Sequence, residues 1–440
     1  MKNRTIIVLI MFFMFMSASA LAQNKKYAGQ TIYVLTEVEN YAKGLRELSH
    51  EFTEKTGVTV EIETLSQMAA QQKVTVEATT RSDAYDLLFM EGDYIPRLAG
   101  GNFIYPIDNF LKDKDLNILD VNLDDFIPST LQAFQYQGKQ YCLPFKAATQ
   151  IFYYRPDILA KFGIKEPPKT FQELLEVSRK IHTPEMPAIA MRGQAGTHNM
   201  WVFSQFLYGY GARLFKDWPS DLTPTVYSPE AVKALKIYVE LMQNYSIPGA
   251  ASADYNDVTI VMQQGKVIFA IEGAPLAARI LDPEKSKVVG KLGFAVPPAG
   301  DKEQLPPFTS QCFAINNASK HKEAAYLFQT WSSSKDVFKK VSQMNKYVAV
   351  TRFSVWDDPE FRKKYDYDFG HGSFTQAYRD TLAVAPAWYR PAFKDWAQVR
   401  DRVGIAVQEA VVNKKTPEEA LKDAQNDIKR MLKERGYKIN

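Results

Sequence analysis

Hydrophobic positions near the start of the chain switch repeatedly between the period of a strand and that of a helix. Gln30 to Leu35 (QTIYVL) is a short apolar run fit for a buried strand. Tyr41 to Glu54 then places apolar residues at 45, 48 and 52, one face of a helix that Thr56 and Gly57 end. Val58 to Ile62 alternates apolar and charged residues like a second strand. Gln67 to Thr80 reads as a helix, and Tyr85 to Met90 (YDLLFM) as another buried strand. Such alternation predicts an α/β domain with a largely parallel, doubly wound sheet. In that architecture ligands sit beyond the carboxyl ends of the strands, which puts Thr36 to Asn40 and Met90 to Tyr94 on one edge.

The pattern continues more loosely. Gly138 to Pro144 reads as a turn and strand, and Ile151 to Arg155 as a separate aromatic strand. Thr170 caps a predicted helix over 171–181 whose inward residues are Leu174, Leu175, Ser178 and Ile181. Helices are expected over 199–208, 229–244, 256–264 and 320–331, and strands over 266–271 and 311–315. The clearest Pro/Gly-rich boundary is 297–307, and there is no internal repeat or low-complexity tract.

At 440 residues the chain is too long for one core, so two domains are expected. A net charge of +4 matches bases with acids almost one for one and argues against a nucleic-acid partner. Lys2 and Arg4, the apolar run 6–16 and the Ala20-Leu21-Ala22 site form a secretory signal, residues 1–22. That run is shorter than a membrane span needs, and no Cys follows it as a lipid attachment point. The mature protein is therefore expected in the periplasm. Its two cysteines, Cys142 and Cys312, lie in apolar strand-like segments. Export permits a disulfide, but spacing does not decide the matter, and buried free thiols are the plainer expectation. The five His residues are scattered, so no metal or other cofactor is expected.

Several blocks carry a family likeness: Gly44 to Val60, Tyr85 to Phe89, Leu143-Pro144-Phe145 with Tyr153 to Asp157, and Phe269 to Gly273. The tail adds Trp388-Tyr389-Arg390-Pro391 and the 416–425 segment (TPEEALKDAQ). In order and spacing they resemble the solute-binding proteins of bacterial ABC importers for sugars and polyols, a maltose-binding-like group. The resemblance implies a periplasmic-binding-protein type II fold, with two doubly wound α/β lobes joined by hinge strands. Lobe 1 is then 23–141 plus 313–355, and lobe 2 is 142–312 plus 356–440. It also implies a monomer that shuts over a small carbohydrate and presents it to an inner-membrane permease.

A sugar or polyol needs carboxylates and amides to accept from its hydroxyls, fork-like donors, and flat rings for its C–H faces. By resemblance the candidates are Glu37, Glu39 and Asn40 after the first strand, and Glu91 and Asp93 after the third. Lys146 follows the crossover, where it serves either a ligand or a salt bridge. Trp201 is a stacking or a core residue, Ser310 stands at the return crossover, and Trp388, Tyr389 and Arg390 lie in the tail loop. Gly273 ends a strand after which many oligosaccharide binders carry a Trp; here Ala274-Pro275 follows, which points to a smaller ligand. The acidic loops suit neutral hydroxylated or cationic ligands, whereas Lys146 and Arg390 suit a carboxylate or phosphate. The rival reading is a secreted glycosidase or lyase, which needs two carboxylates at catalytic separation.

Overall fold

The computed structural model describes residues 26–117, 121–386, 389–391 and 393–439. The predicted signal segment and Trp388 lie outside the described residues. In chain order the elements used below are β1 (Thr31–Glu37), α1 (Asn40–Thr56), β2 (Thr59–Leu65), α2 (Gln67–Thr80), β3 (Leu87–Glu91), β4 (Pro144–Tyr154) and α3 (Phe171–Ile181). There follow β5 (Ile189–Ala190), α4 (Thr197–Gly209), α5 (Pro229–Asn244), α6 (Tyr255–Gln263), β6 (Phe269–Gly273), β7 (Gly293–Ala295) and β8 (Phe308–Ile315). The last are α7 (Lys322–Ser332), α8 (Lys335–Asn345), α9 (Phe374–Val384), α10 (Trp396–Val411) and α11 (Pro417–Glu434). The chain divides into two compact units: residues up to Lys146 with Ser310–Val355, and Ala147–Thr309 with Trp356 onward. Among the described residues no helix is long and apolar enough to cross a membrane.

In the first unit β1 pairs in parallel with β2 and β3, and β8 joins β3 antiparallel, with Gln311 opposite Glu91 and Cys312 opposite Met90. All five residues of β3 are buried, as expected of a parallel strand covered on both faces. The helix α1 turns Tyr41, Leu45, Leu48 and Phe52 inward, and Phe52 meets the rings of Phe328 and Trp331 from α7. Gly44 lets α8 approach closely, because a Cβ there would stand 2.7 Å from Val341. Gly57, at φ 73°, ends α1 in the left-handed conformation that glycine adopts without strain.

The second unit is built on the rest of β4, with β6 and β7 antiparallel to it and β5 parallel to β6. Phe171 of α3 stacks on Phe206 of α4 at 3.7 Å between ring centroids, and the other buried residues of α3 are the four predicted.

Two expectations need correction. Cys142 and Cys312 are not free thiols: they form a disulfide, with Cα atoms 6.1 Å apart, and both half-cystines belong to the first unit. Tertiary folding sets residues 170 apart in sequence within the geometric range of a bridge, which spacing alone does not reveal. The expected strand before Pro144 is instead a two-residue hairpin, Gln135–Tyr136 with Lys139–Gln140. Pro144 begins β4, and that single strand continues through the separate strand expected at 151–155. Proline is tolerated at a strand's first residue but not in a ladder interior.

Candidate ligand-contacting groups in each unit

In the first unit the parallel strands β1, β2 and β3 deliver their carboxyl ends to one edge. Glu37 is the last residue of β1 and Glu91 the last of β3, only 6% and 5% exposed. Lys146, two residues into β4 after Pro144, brings its ammonium to 3.3 Å from Glu37 Oε1 and 2.7 Å from Glu39 Oε2. Gln67, opening α2, donates to Glu91 Oε1 at 3.0 Å, and Gln311 donates to the same oxygen at 3.2 Å. The Ser310 hydroxyl donates to the Lys146 carbonyl at 2.7 Å, which holds the lysine's backbone rather than leaving the hydroxyl open. Asn40 is exposed at the start of α1, and Asp93 sits half-buried in the short turn Gly92–Tyr94.

Burial is the main cause that pushes the Glu37 carboxyl up to about 7; Lys146 opposes it, while Glu39 and Glu91 add to it. Burial works against the Lys146 ammonium, yet Glu39 and Glu37 hold its pKa above the ordinary lysine value. The salt-bridge reading of Lys146 therefore describes its observed contacts. Two buried acceptors in this cluster, Glu39 Oε1 and Gln311 Oε1, have no hydrogen-bond partner.

In the second unit the ends of the parallel pair β5 and β6 are followed by Arg192 and occupied by Glu272 and Gly273. Arg192 forks onto Glu272, with Nε 3.0 and 2.9 Å from the two carboxylate oxygens. The Glu272 side chain is fully buried, and the Arg192 guanidinium also lies 5.6 Å from the Tyr255 ring. Gly273 lies opposite Gln150 of β4, whose side chain accepts from Gln205 of α4 at 2.6 Å. The remaining amide atoms, Gln150 Nε2 and Gln205 Oε1, are buried without partners.

The start of α4 carries His198 and Trp201. His198 stacks on Tyr255 with 6.0 Å between ring centroids. Burial, followed by the charge of Arg192, lowers its pKa to about 4, so the imidazole is neutral near pH 7. Trp201 is mostly buried and meets Tyr389 edge-on at 5.7 Å, while its indole N–H has no partner. The Arg390 guanidinium lies 5.8 Å from the Trp201 ring and 5.4 Å from that of Tyr389. Tyr208 anchors this loop by donating to the Tyr389 carbonyl at 3.0 Å. Trp201, Tyr389 and Arg390 are thus one cluster.

Sequence reasoning missed Arg192, Tyr255 and Gln67. Arg192 had a usable signal, since it follows a strand whose carboxyl end lies on the ligand-bearing edge. That strand is two residues long, too short for periodicity to register. Among the described residues no group of three or more His, Cys, Asp or Glu is arranged to hold a metal ion.

The family profile of the bacterial extracellular solute-binding proteins matches residues 36–337. The mannitol-binding protein of Pseudomonas aeruginosa is 26% identical over 422 residues, covering 93% of this chain and 94% of that protein. An ABC transporter solute-binding protein from Agrobacterium radiobacter, solved with ribitol, matches with a TM-score of 0.81 at 26% identity. It covers 92% of this chain and 100% of its own. Another, from Agrobacterium vitis with bound D-mannitol, matches with a TM-score of 0.80 at 28% identity, covering 93% and 100%.

Proposed function

We propose that this chain, which belongs to the bacterial extracellular solute-binding proteins, captures a short polyol in the periplasm and delivers it to an ABC permease. The family is one of binding proteins, and the glycosidase or lyase alternative finds no support among the relatives above. The observation that carries the polyol reading is the set of buried, unpartnered polar atoms found within each unit, on strands, on the segment after β1 and at the start of α4. Glu39 Oε1 and Gln311 Oε1 accept; Trp201 Nε1 and Gln150 Nε2 donate. A hydroxyl both donates and accepts, so ligand hydroxyls suit either kind of atom within its own unit, and leaving such atoms unmatched costs stability. Ala274-Pro275 in place of an aromatic plate supports a ligand shorter than a maltodextrin. The polyols named for the relatives are the first compounds to try.

Thermal-shift screening followed by isothermal titration calorimetry tests the reading. Mannitol, ribitol or a closely related alditol should stabilise the protein more than maltotriose does, because stabilisation follows ligand concentration over Kd. Trp201→Ala and Arg390→Ala should each weaken binding by about ten- to a hundredfold, as expected for an aromatic anchor and a charged fork. Wild-type affinity in both variants would remove the cluster from the site.

A further inference from the structure

Two buried glutamines of the second unit are left half satisfied. Gln205 of α4 donates to Gln150 Oε1 of β4 at 2.6 Å, and both residues are almost wholly removed from water. Gln150 Nε2 and Gln205 Oε1 then stay without a partner among the described residues. Turning both amides over reverses the shared bond but leaves the same remainder, one NH2 group and one carbonyl oxygen. A donor and an acceptor left on one hydrogen-bonded amide pair match a single hydroxyl group, which accepts from the one and donates to the other. Gly273 makes room beside them. It stands directly opposite Gln150 in the antiparallel pairing of β4 and β6, so the two residues share one face. Its φ of −55° and ψ of 125° are open to any residue, so the backbone there does not call for glycine. Packing does not call for it either, because an added Cβ would meet its nearest neighbour, Arg192 Nη2, at an ordinary 3.6 Å. Glycine at this strand end therefore keeps clear the room that a side chain would take next to Gln150.

We propose that the Gln150–Gln205 pair is a specificity-determining station that reads one unsubstituted hydroxyl of the ligand. It rejects solutes in which that position is deoxy or is capped as an ether or a glycoside. The proposal rests on the polyol reading above and narrows its ligand class to alditols that are free at that position. A deoxy carbon leaves both amide atoms unmatched, and burying them so is costly. An ether or glycosidic oxygen accepts from the NH2 group but has no proton for the carbonyl. Sites built around a buried hydrogen bond to a hydroxyl reject analogues lacking it far more strongly than apolar pockets do. A bound water would satisfy the pair equally well, and then no ligand hydroxyl is singled out.

Calorimetry on the full mature chain tests this with mannitol or ribitol, whichever binds more tightly, beside its monodeoxy and mono-O-methyl analogues. At one position both changes should cost about a hundredfold or more in affinity, and at the others about tenfold or less. Replacing both glutamines by leucine removes the unmatched atoms together, a change that buried polar pairs tolerate. At the sensitive position the Gln150→Leu/Gln205→Leu protein should prefer the parent by about threefold or less. Gly273→Ala should keep the wild-type thermal midpoint yet bind the parent about tenfold or more weakly. A parent that binds while no position costs more than about tenfold overturns the proposal and leaves the polyol reading standing. Unchanged affinity in Gly273→Ala, or undiminished discrimination in the leucine protein, overturns it as well. If neither parent gives heat, the polyol reading falls and the proposal falls with it. The analogue series and the alanine variant decide the matter even where the leucine protein fails to fold.

Discussion

Arg192 and Glu272 show what a single buried charge demands. Glu272 is wholly removed from water, and its carboxylate is held by the fork of Arg192. Removing one partner leaves the other charge uncompensated. Arg192→Ala is expected to destabilise the fold by about 3–5 kcal/mol, read from the urea midpoint. His198 adds a pH dependence. Its folded pKa, about 4, lies below its unfolded value of 6.5, so the unfolded chain binds more protons between them. Stability from this group is therefore full above pH 6.5 and lost as the pH falls towards 4. A difference of that size corresponds to about 3–3.5 kcal/mol, and His198→Asn should flatten the slope of stability against pH in that window. Residue roles were only partly legible. Glu37 and Glu91 could be placed because strand ends can be counted. Whether Lys146 met a carboxylate depended on where β4 ran, which no local pattern states.

Helices were the most legible elements, because their signals are local. The helices over 171–181 and 229–244 coincide with expectation, and each opens on a residue whose hydroxyl accepts from a first-turn amide, Thr170 from Glu173 and Ser228 from Ala231. The same chemistry opens α11, where Thr416 and Glu419 cap one another reciprocally and Pro417 takes the first helical position. Thr416→Ala is expected to cost about 1 kcal/mol, visible as a lowered thermal midpoint. Strands fared less well. The apolar run from Tyr141 onward looks the same whether it is coil or ladder, and pairing partners decide which it becomes. The same limit hid β5, whose two residues are defined by hydrogen bonding to β6 rather than by any period.

For the molecule as a whole, two compact units follow from chain length, and the chain crosses between them at 146/147, 309/310 and 355/356. The disulfide lies a few residues from two of those crossings and ties Cys142 to Cys312 within the first unit. It joins segments that flank Lys146 and Gln311, so it braces the backbone from which both side chains project. Replacing both cysteines by serine is expected to lower stability by about 2–5 kcal/mol, since the bridge closes a long loop in the unfolded chain. Guanidinium denaturation of the variant against wild type checks it. Both half-cystines are fully buried, so reductant should act on the native protein only as fast as it opens.

The amino-acid order alone determined the alternation of strand and helix, the parallel character of the first sheet, the helix caps and the family likeness. Each depends on neighbours within a few residues or on blocks recurring at set spacing. Tertiary structure decided the disulfide, the sharing of Lys146 between Glu37 and Glu39, and the Arg192–Glu272 fork. It likewise gathered Trp201, Tyr389 and Arg390. These contacts join residues 80 to 190 positions apart in most cases, and their energies arise from burial and distance, which exist only once the chain has folded.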